Sequence, residues 1–297
     1  MKKWFFVSLL LFQSRAYALD EGAAFLDIGS GARAAALSGA FTAVGDDLDD
    51  AYWNPAGLAG MDKSELGFEY SDWLLEMKHQ SLSGVFPMKR GVLGFQFIRL
   101  SQPPLERRGA DRVYEGNFQS YSQSFGLLFS RKVSGSLAGG VKFQLIQSKL
   151  DADKAATVAF DFGSLYRAEG SPLSFGLTVK NVGRGLKFID QRDELPLTVS
   201  FGGLYAPHTG LNLSLDIKRR IYSCRTILSA GAEYSVMPSL SLRGGYMKEP
   251  GPAGTESQLS GFSAGLGFSF LNYEMDYAFS PAGEFGDVHI FSLKAKI

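Results

Sequence analysis

The chain has 297 residues with 30 basic and 30 acidic side chains, a formal charge of zero. That balance gives no basic footprint, so no nucleic-acid partner is expected. The single cysteine, Cys224, excludes an intramolecular disulfide and a metal site built on several cysteines.

The first stretch reads as a signal peptide, residues 1–18. Lys2 and Lys3 form the basic region, Trp4 to Phe12 the apolar region, and Ala16-Tyr17-Ala18 the cleavage site, so the mature chain is expected to begin at Leu19. Nine apolar residues are too few to span a bilayer, and no later window reaches 18. Cleavage removes Lys2, Lys3 and Arg15 and leaves 27 basic against 30 acidic residues, a formal charge of −3. Any membrane-crossing state of this chain must use strands.

Residues 19–62 form a small-residue head. A helical pattern runs from Ala32 toward Trp53, through the aspartates Asp46, Asp47, Asp49 and Asp50, and should stop there. Pro55 has no N–H and biases Asn54 away from the helical region, so Asn54-Pro55-Ala56-Gly57 is a stop signal.

From about residue 63 to 297 the sequence alternates with period two, the pattern of strands with one apolar and one polar face. Leu173, Phe175, Leu177 and Val179 interleave with Ser174, Gly176, Thr178 and Lys180. About fourteen such segments fit, an even number as single-chain transmembrane barrels require. Their connections alternate between short turns and mostly longer loops, with the short side expected in the periplasm. The expected fold is all-β, an antiparallel transmembrane barrel in the lipid of an outer membrane. A β-sandwich also alternates, but it needs no alternation of loop length and its outer face should carry more charge. The polar face includes Lys142, Asp161, Arg167, Lys180, Asp216, Glu233 and Arg243, a mixed-charge inner wall. Tyr70, Trp73, Tyr166, Tyr205, Tyr234, Tyr246, Tyr273 and Tyr277 fall near strand ends, as an interfacial girdle would.

Catalytic chemistry is sparse. His79, His208 and His289 lack metal-site spacing and read as solvated, and no GxSxG-like nucleophile motif occurs. The aspartates at 46–50 lack the glycine and distal glutamate of a calcium loop, so they are expected to cap, solubilise or pair with inner-wall cations. No enzyme activity, metal or cofactor is expected.

The stretch GARAAALSGAFTAVGDDLDDAYWNPAGLAG, followed by SDWLLEMKHQSLSGVFPMKRGVLGF, resembles the N-terminal signature of FadL-type outer-membrane proteins over Gly29 to about Phe97. Within them it is most similar to the PorV/PorQ branch. The resemblance implies that residues 19–62 fold back into the lumen as a helical plug, with Asp46, Asp47, Trp53, Asn54, Pro55, Ala56 and Gly57 as its motif. In the PorV/PorQ branch the implied role is assistance to secretion or surface attachment, with secreted cargo or secretion machinery as partner. The alternative implied by FadL itself is uptake of hydrophobic small molecules. A continuous apolar pocket in the lumen would favour uptake; a closed, polar, filled lumen would favour a scaffold.

Overall fold

The structure is a computed structural model that describes residues 21–249, 261–281 and 286–297. The signal peptide and the expected start at Leu19 lie outside the described residues.

Fourteen antiparallel strands close into one barrel. In chain order they are β1 (Glu65–Asp72), β2 (Lys78–Met88), β3 (Gly91–Ser101), β6 (Ser120–Lys132), β7 (Leu137–Leu150), β8 (Asp153–Arg167), β9 (Leu173–Gly183), β12 (Thr198–His208), β13 (Leu211–Arg220), β14 (Thr226–Met237), β15 (Leu240–Lys248), β16 (Gly261–Phe270), β17 (Tyr273–Pro281) and β18 (Asp287–Lys296). Pairing of β1 with β18 completes the closure. The strand count is the expected one, and closure removes the sandwich alternative along with every free edge of the main sheet.

The faces are inverted relative to a water-soluble protein. Leu215 is 68% exposed and Leu177 47%, whereas Thr178, one residue along, is 1% exposed. A closed sheet that shows Leu and Phe outward and Ser, Thr, Gly and charged groups inward is solvated by lipid tails, not water. Short turns join the strands at one end, and the other end carries the longer connections together with the tight turn between Leu150 of β7 and Asp153 of β8. Two of the longer connections carry hairpins that the alternation did not reveal: β4 (Leu105–Arg108) with β5 (Tyr114–Phe118), and β10 (Leu186–Phe188) with β11 (Gln191–Asp193).

Residues 21–62 lie against the inward faces of the strands. The continuous helix expected from Ala32 to Trp53 is not formed. Only two short pieces exist, α1 (Ala32–Ala36) and α2 (Asp50–Trp53). Ser38, Gly39, Gly45 and Asp46 between them adopt left-handed φ values of 53° to 75°. Asp216, on β13, replaces the missing helical acceptors: its carboxylate takes the N–H groups of Phe41 at 3.1 Å and Thr42 at 2.9 Å. A wall group thus supplies what the helix would have supplied, and the head follows the barrel instead of its own propensity.

Candidate functional site

The Asn-Pro turn is fixed to the wall from both sides. Asn54 is fully buried; its amide donates to the carbonyls of Thr42 at 2.7 Å and Ser164 at 3.1 Å, and its oxygen accepts from the Ala56 N–H at 3.1 Å. Pro55 opens a 3₁₀ turn, Pro55–Gly60, where its missing N–H costs nothing. Gly140 and Gly163 make room for this turn, because a side chain on Gly140 would collide with the Pro55 and Ala56 backbone and one on Gly163 with the Asn54 amide oxygen.

Beside the turn the aspartates enter an ion-pair network. Asp47 receives Lys294 of β18 at 2.8 Å and Arg33 of α1 at 2.6 Å. Arg33 also makes a two-pronged contact with Glu233 of β14, at 2.8 Å and 2.6 Å. Glu233 in turn receives Arg243 of β15 at 2.7 Å, and Arg243 reaches Asp276 of β17. Lys294 also lies 3.2 Å from Asp49. Burial works against the Asp47 charge, yet Lys294 and Arg33 together hold its carboxyl well below the usual range. Asp50 behaves oppositely: burial, then the neighbouring Asp47, pushes it well above that range. Arg33 and Lys294 were not singled out in the sequence, because an arginine in a small-residue helix and a lysine near a strand end look like solvated residues.

The other inner-wall charges lie inside as well. Lys142 donates to Gln96 at 2.7 Å and to the Ala51 carbonyl at 3.3 Å, with Asp161 4.0 Å away. Arg167 meets Asp46 at 2.8 Å near the short-turn end, where both are partly exposed. Lys180 places its ammonium 3.4 Å from the centre of the Tyr52 ring.

Two histidines depart from the expected solvated state. His79 is completely buried with Nδ1 3.0 Å from Glu69, whose carboxylate also takes the Ser30 hydroxyl at 3.0 Å and the Gly31 N–H. His289 bonds Tyr277 at 2.8 Å on the outer surface. Trp73 also differs from its assignment: it turns inward from the β1–β2 connection instead of joining an outer girdle.

Above this layer, on the long-loop side, is a cavity of about 540 Å³. Phe25, Ile28 and Trp53 of the head line it from below, the strand ends contribute Leu100, Ile227 and Ile290, and Trp73, Leu74 and Met77 cover it from the β1–β2 connection. Trp53 is wedged into the floor: its Nε1–H donates to the Ser30 carbonyl at 2.8 Å, and a Cβ at Gly29 or Gly39 would come within 2.6 Å or 2.8 Å of its ring. Asp27, Lys218, Arg220 and Glu249 form a polar side of the cavity. Arg220 lies 3.0 Å from Asp27, and Lys218 stands 4.9 Å over the Trp53 ring. The volume falls in the usual range for small-molecule sites, and the mainly apolar lining with a few polar groups is what such a ligand needs.

A closed fourteen-strand barrel with a lipid-solvated exterior and an apolar chamber over an inward-lying head defines a transmembrane β-barrel. The chain belongs to an uncharacterised protein family, UPF0164, whose profile matches residues 20–181. No curated protein matches the chain. Among solved structures it is similar to the toluene transporter TodX of P. putida, at 13% identity and a TM-score of 0.72 over 91% of this chain and 99% of that one. It is also similar to the Ralstonia pickettii toluene transporter TbuX, at 14% identity and a TM-score of 0.67, covering 91% and 98%. A Pseudomonas aeruginosa FadL homologue follows, at 12% identity and a TM-score of 0.61, covering 90% and 98%. At these identities the likeness is one of fold.

Proposed function

We propose that this protein admits hydrophobic small molecules across an outer membrane, with the chamber as the binding site and the head, described from residue 21 to 62, as the plug beneath it. Its role is passage, not catalysis. The observation that carries the reading is the apolar chamber of about 540 Å³ floored by Trp53. An apolar pocket within the lumen is the feature expected to favour uptake over a scaffold. Support also comes from the barrels of similar fold, two of which are toluene transporters. The alternative, assistance to secretion, rests on the PorV/PorQ-like stretch around Trp73 to Leu82. That same stretch gives Trp73, Leu74 and Met77 to the chamber lining, which favours passage.

The chain has three tryptophans, and loss of Trp4 with the signal peptide leaves only Trp53 and Trp73, both at the chamber. Intrinsic fluorescence therefore reads the site directly. Bromobenzene should quench the mature protein saturably in detergent, and Ser229→Phe combined with Ser280→Phe, which fills the chamber, should abolish saturation. Linear quenching that is the same in both proteins would mean simple partition into the micelle and would count against the chamber.

A further inference from the structure

The outer surface of β3, β6, β7 and β8 carries a second concavity, separate from the chamber. It has a volume of about 480 Å³ and faces the lipid. Register places Phe97, Phe125, Leu145 and Val158 in one row across the four strands, toward the middle of the apolar belt. One step nearer the long-loop end stand Arg99, Gln123, Gln147 and the small Ala156, with Gln123 donating to Gln147 at 2.9 Å. The step after that brings Lys149 directly opposite Lys154. The hollow exists because Ala156 fills little space and because β9 pairs with β8 only from Ala159 onward, with a register shift just beyond, between Phe160 and Phe162.

The cations above the hollow are the unusual part. Like charges directly opposed on neighbouring strands repel, so a Lys–Lys pair is unfavourable without an anion between them. Among the described residues no carboxylate lies within ion-pair distance of Lys149, Lys154 or Arg99; Asp151, in the intervening turn, is taken by Arg107. Arg99 instead lies over the Tyr121 ring, 4.4 Å from its centre, beside Lys149 in the register. An apolar trough that ends, at the level of the membrane interface, in three uncompensated cations is complementary to one class of molecule: an acyl chain joined to a phosphate.

We propose that this groove binds one phosphate-bearing lipid of the outer leaflet, its chain lying along Phe97, Phe125, Leu145 and Val158 and its phosphate held by Arg99, Lys149 and Lys154. The site needs only a membrane-spanning barrel and is independent of the passage proposal. It gives a lipid partner to the stretch of wall next to the start of β8, which β9 does not pair.

The test is native mass spectrometry of the full barrel in a neutral sugar detergent, with dioleoylphosphatidylglycerol and dioleoylglycerol as probes. One phosphatidylglycerol per chain should be retained in preference to dioleoylglycerol. Lys149→Gln with Lys154→Gln should weaken retention about tenfold, the scale of losing a charge-assisted contact. Ala156→Phe keeps the charges and fills the trough, and should weaken it as well. Both variants change outward side chains, and heat-modifiable gel mobility checks their folding. Equal retention of dioleoylglycerol would overturn the phosphate role. Retention unchanged by Ala156→Phe would overturn the groove and leave only diffuse charge attraction.

Discussion

The ammonium of Lys294, on the last strand, lies 2.8 Å from the carboxylate of Asp47, in the head that precedes the first strand. Both side chains are at most 5% exposed, and Asp49, at 3.2 Å, shares the same ammonium. The end of the barrel and the segment inside it are therefore joined by a buried charge contact across 247 positions of sequence. Lys294→Met leaves Asp47 dependent on Arg33 alone and Asp49 without its cation. A buried pair broken on one side costs about 3–5 kcal/mol. The barrel should remain closed while the head becomes accessible, so limited proteolysis from the short-turn side should cut near Arg33 in the variant and not in the wild type.

Two neighbouring aspartates should respond to pH with opposite signs. Asp47 has a depressed folded value, so its stabilising contribution is full above the ordinary carboxylate range and is lost as pH falls toward that depressed value. Asp50 has a raised folded value, so its contribution is present below the ordinary carboxylate pKa of about 3.9 and is lost as pH rises through the raised value. Asp47→Asn should thus be destabilised at neutral pH by a deficit that narrows on acidification. Asp50→Asn should gain on the wild type as pH rises. Urea midpoints between about pH 4 and pH 8 measure the Asp50 slope, and midpoints below about pH 4 measure that of Asp47.

The lipid face is tested at Leu177, which points outward from β9. Leu177→Arg places a charge near the bilayer midplane and should cost about 2–4 kcal/mol, while Leu177→Phe should be nearly neutral. Heat-modifiable mobility and urea resistance report the difference. A charged substitution at Thr178 is no mild control, because that site is 1% exposed and packed inside the barrel.

Asn54→Leu removes two donated bonds and one accepted bond from a fully buried position. Each partner left unpaired costs about 1–3 kcal/mol, so the Asn-Pro turn should detach from β8. Gly140→Leu reaches the same end by collision with Pro55 and Ala56. Cleavage within the head, with an unchanged barrel circular-dichroism signal, is the expected result for both.

The strands were legible because period-two alternation survives any tertiary context in which one face meets lipid. Each of the fourteen segments was therefore readable to within a few residues. The head was less so. Its small residues satisfy helix propensity, but Asp216 competes for the Phe41 and Thr42 N–H groups, and a contact 174 positions away leaves no local trace. Lys142 and Glu233 were visible as charges on a polar face. Their partners Gln96 and Arg33 were not, because pairing across a lumen depends on which strands stand opposite. The chamber was invisible for the same reason: Trp53, Trp73 and Ile227 meet only after closure.

The most direct test of the account is uptake of radiolabelled toluene into proteoliposomes that carry the mature protein, compared with the Ser229→Phe, Ser280→Phe variant and with empty liposomes. Saturable, protein-dependent entry is expected, and the filled chamber should remove it while the barrel stays folded. Entry equal to that of empty liposomes, or entry that persists with the chamber filled, would contradict it.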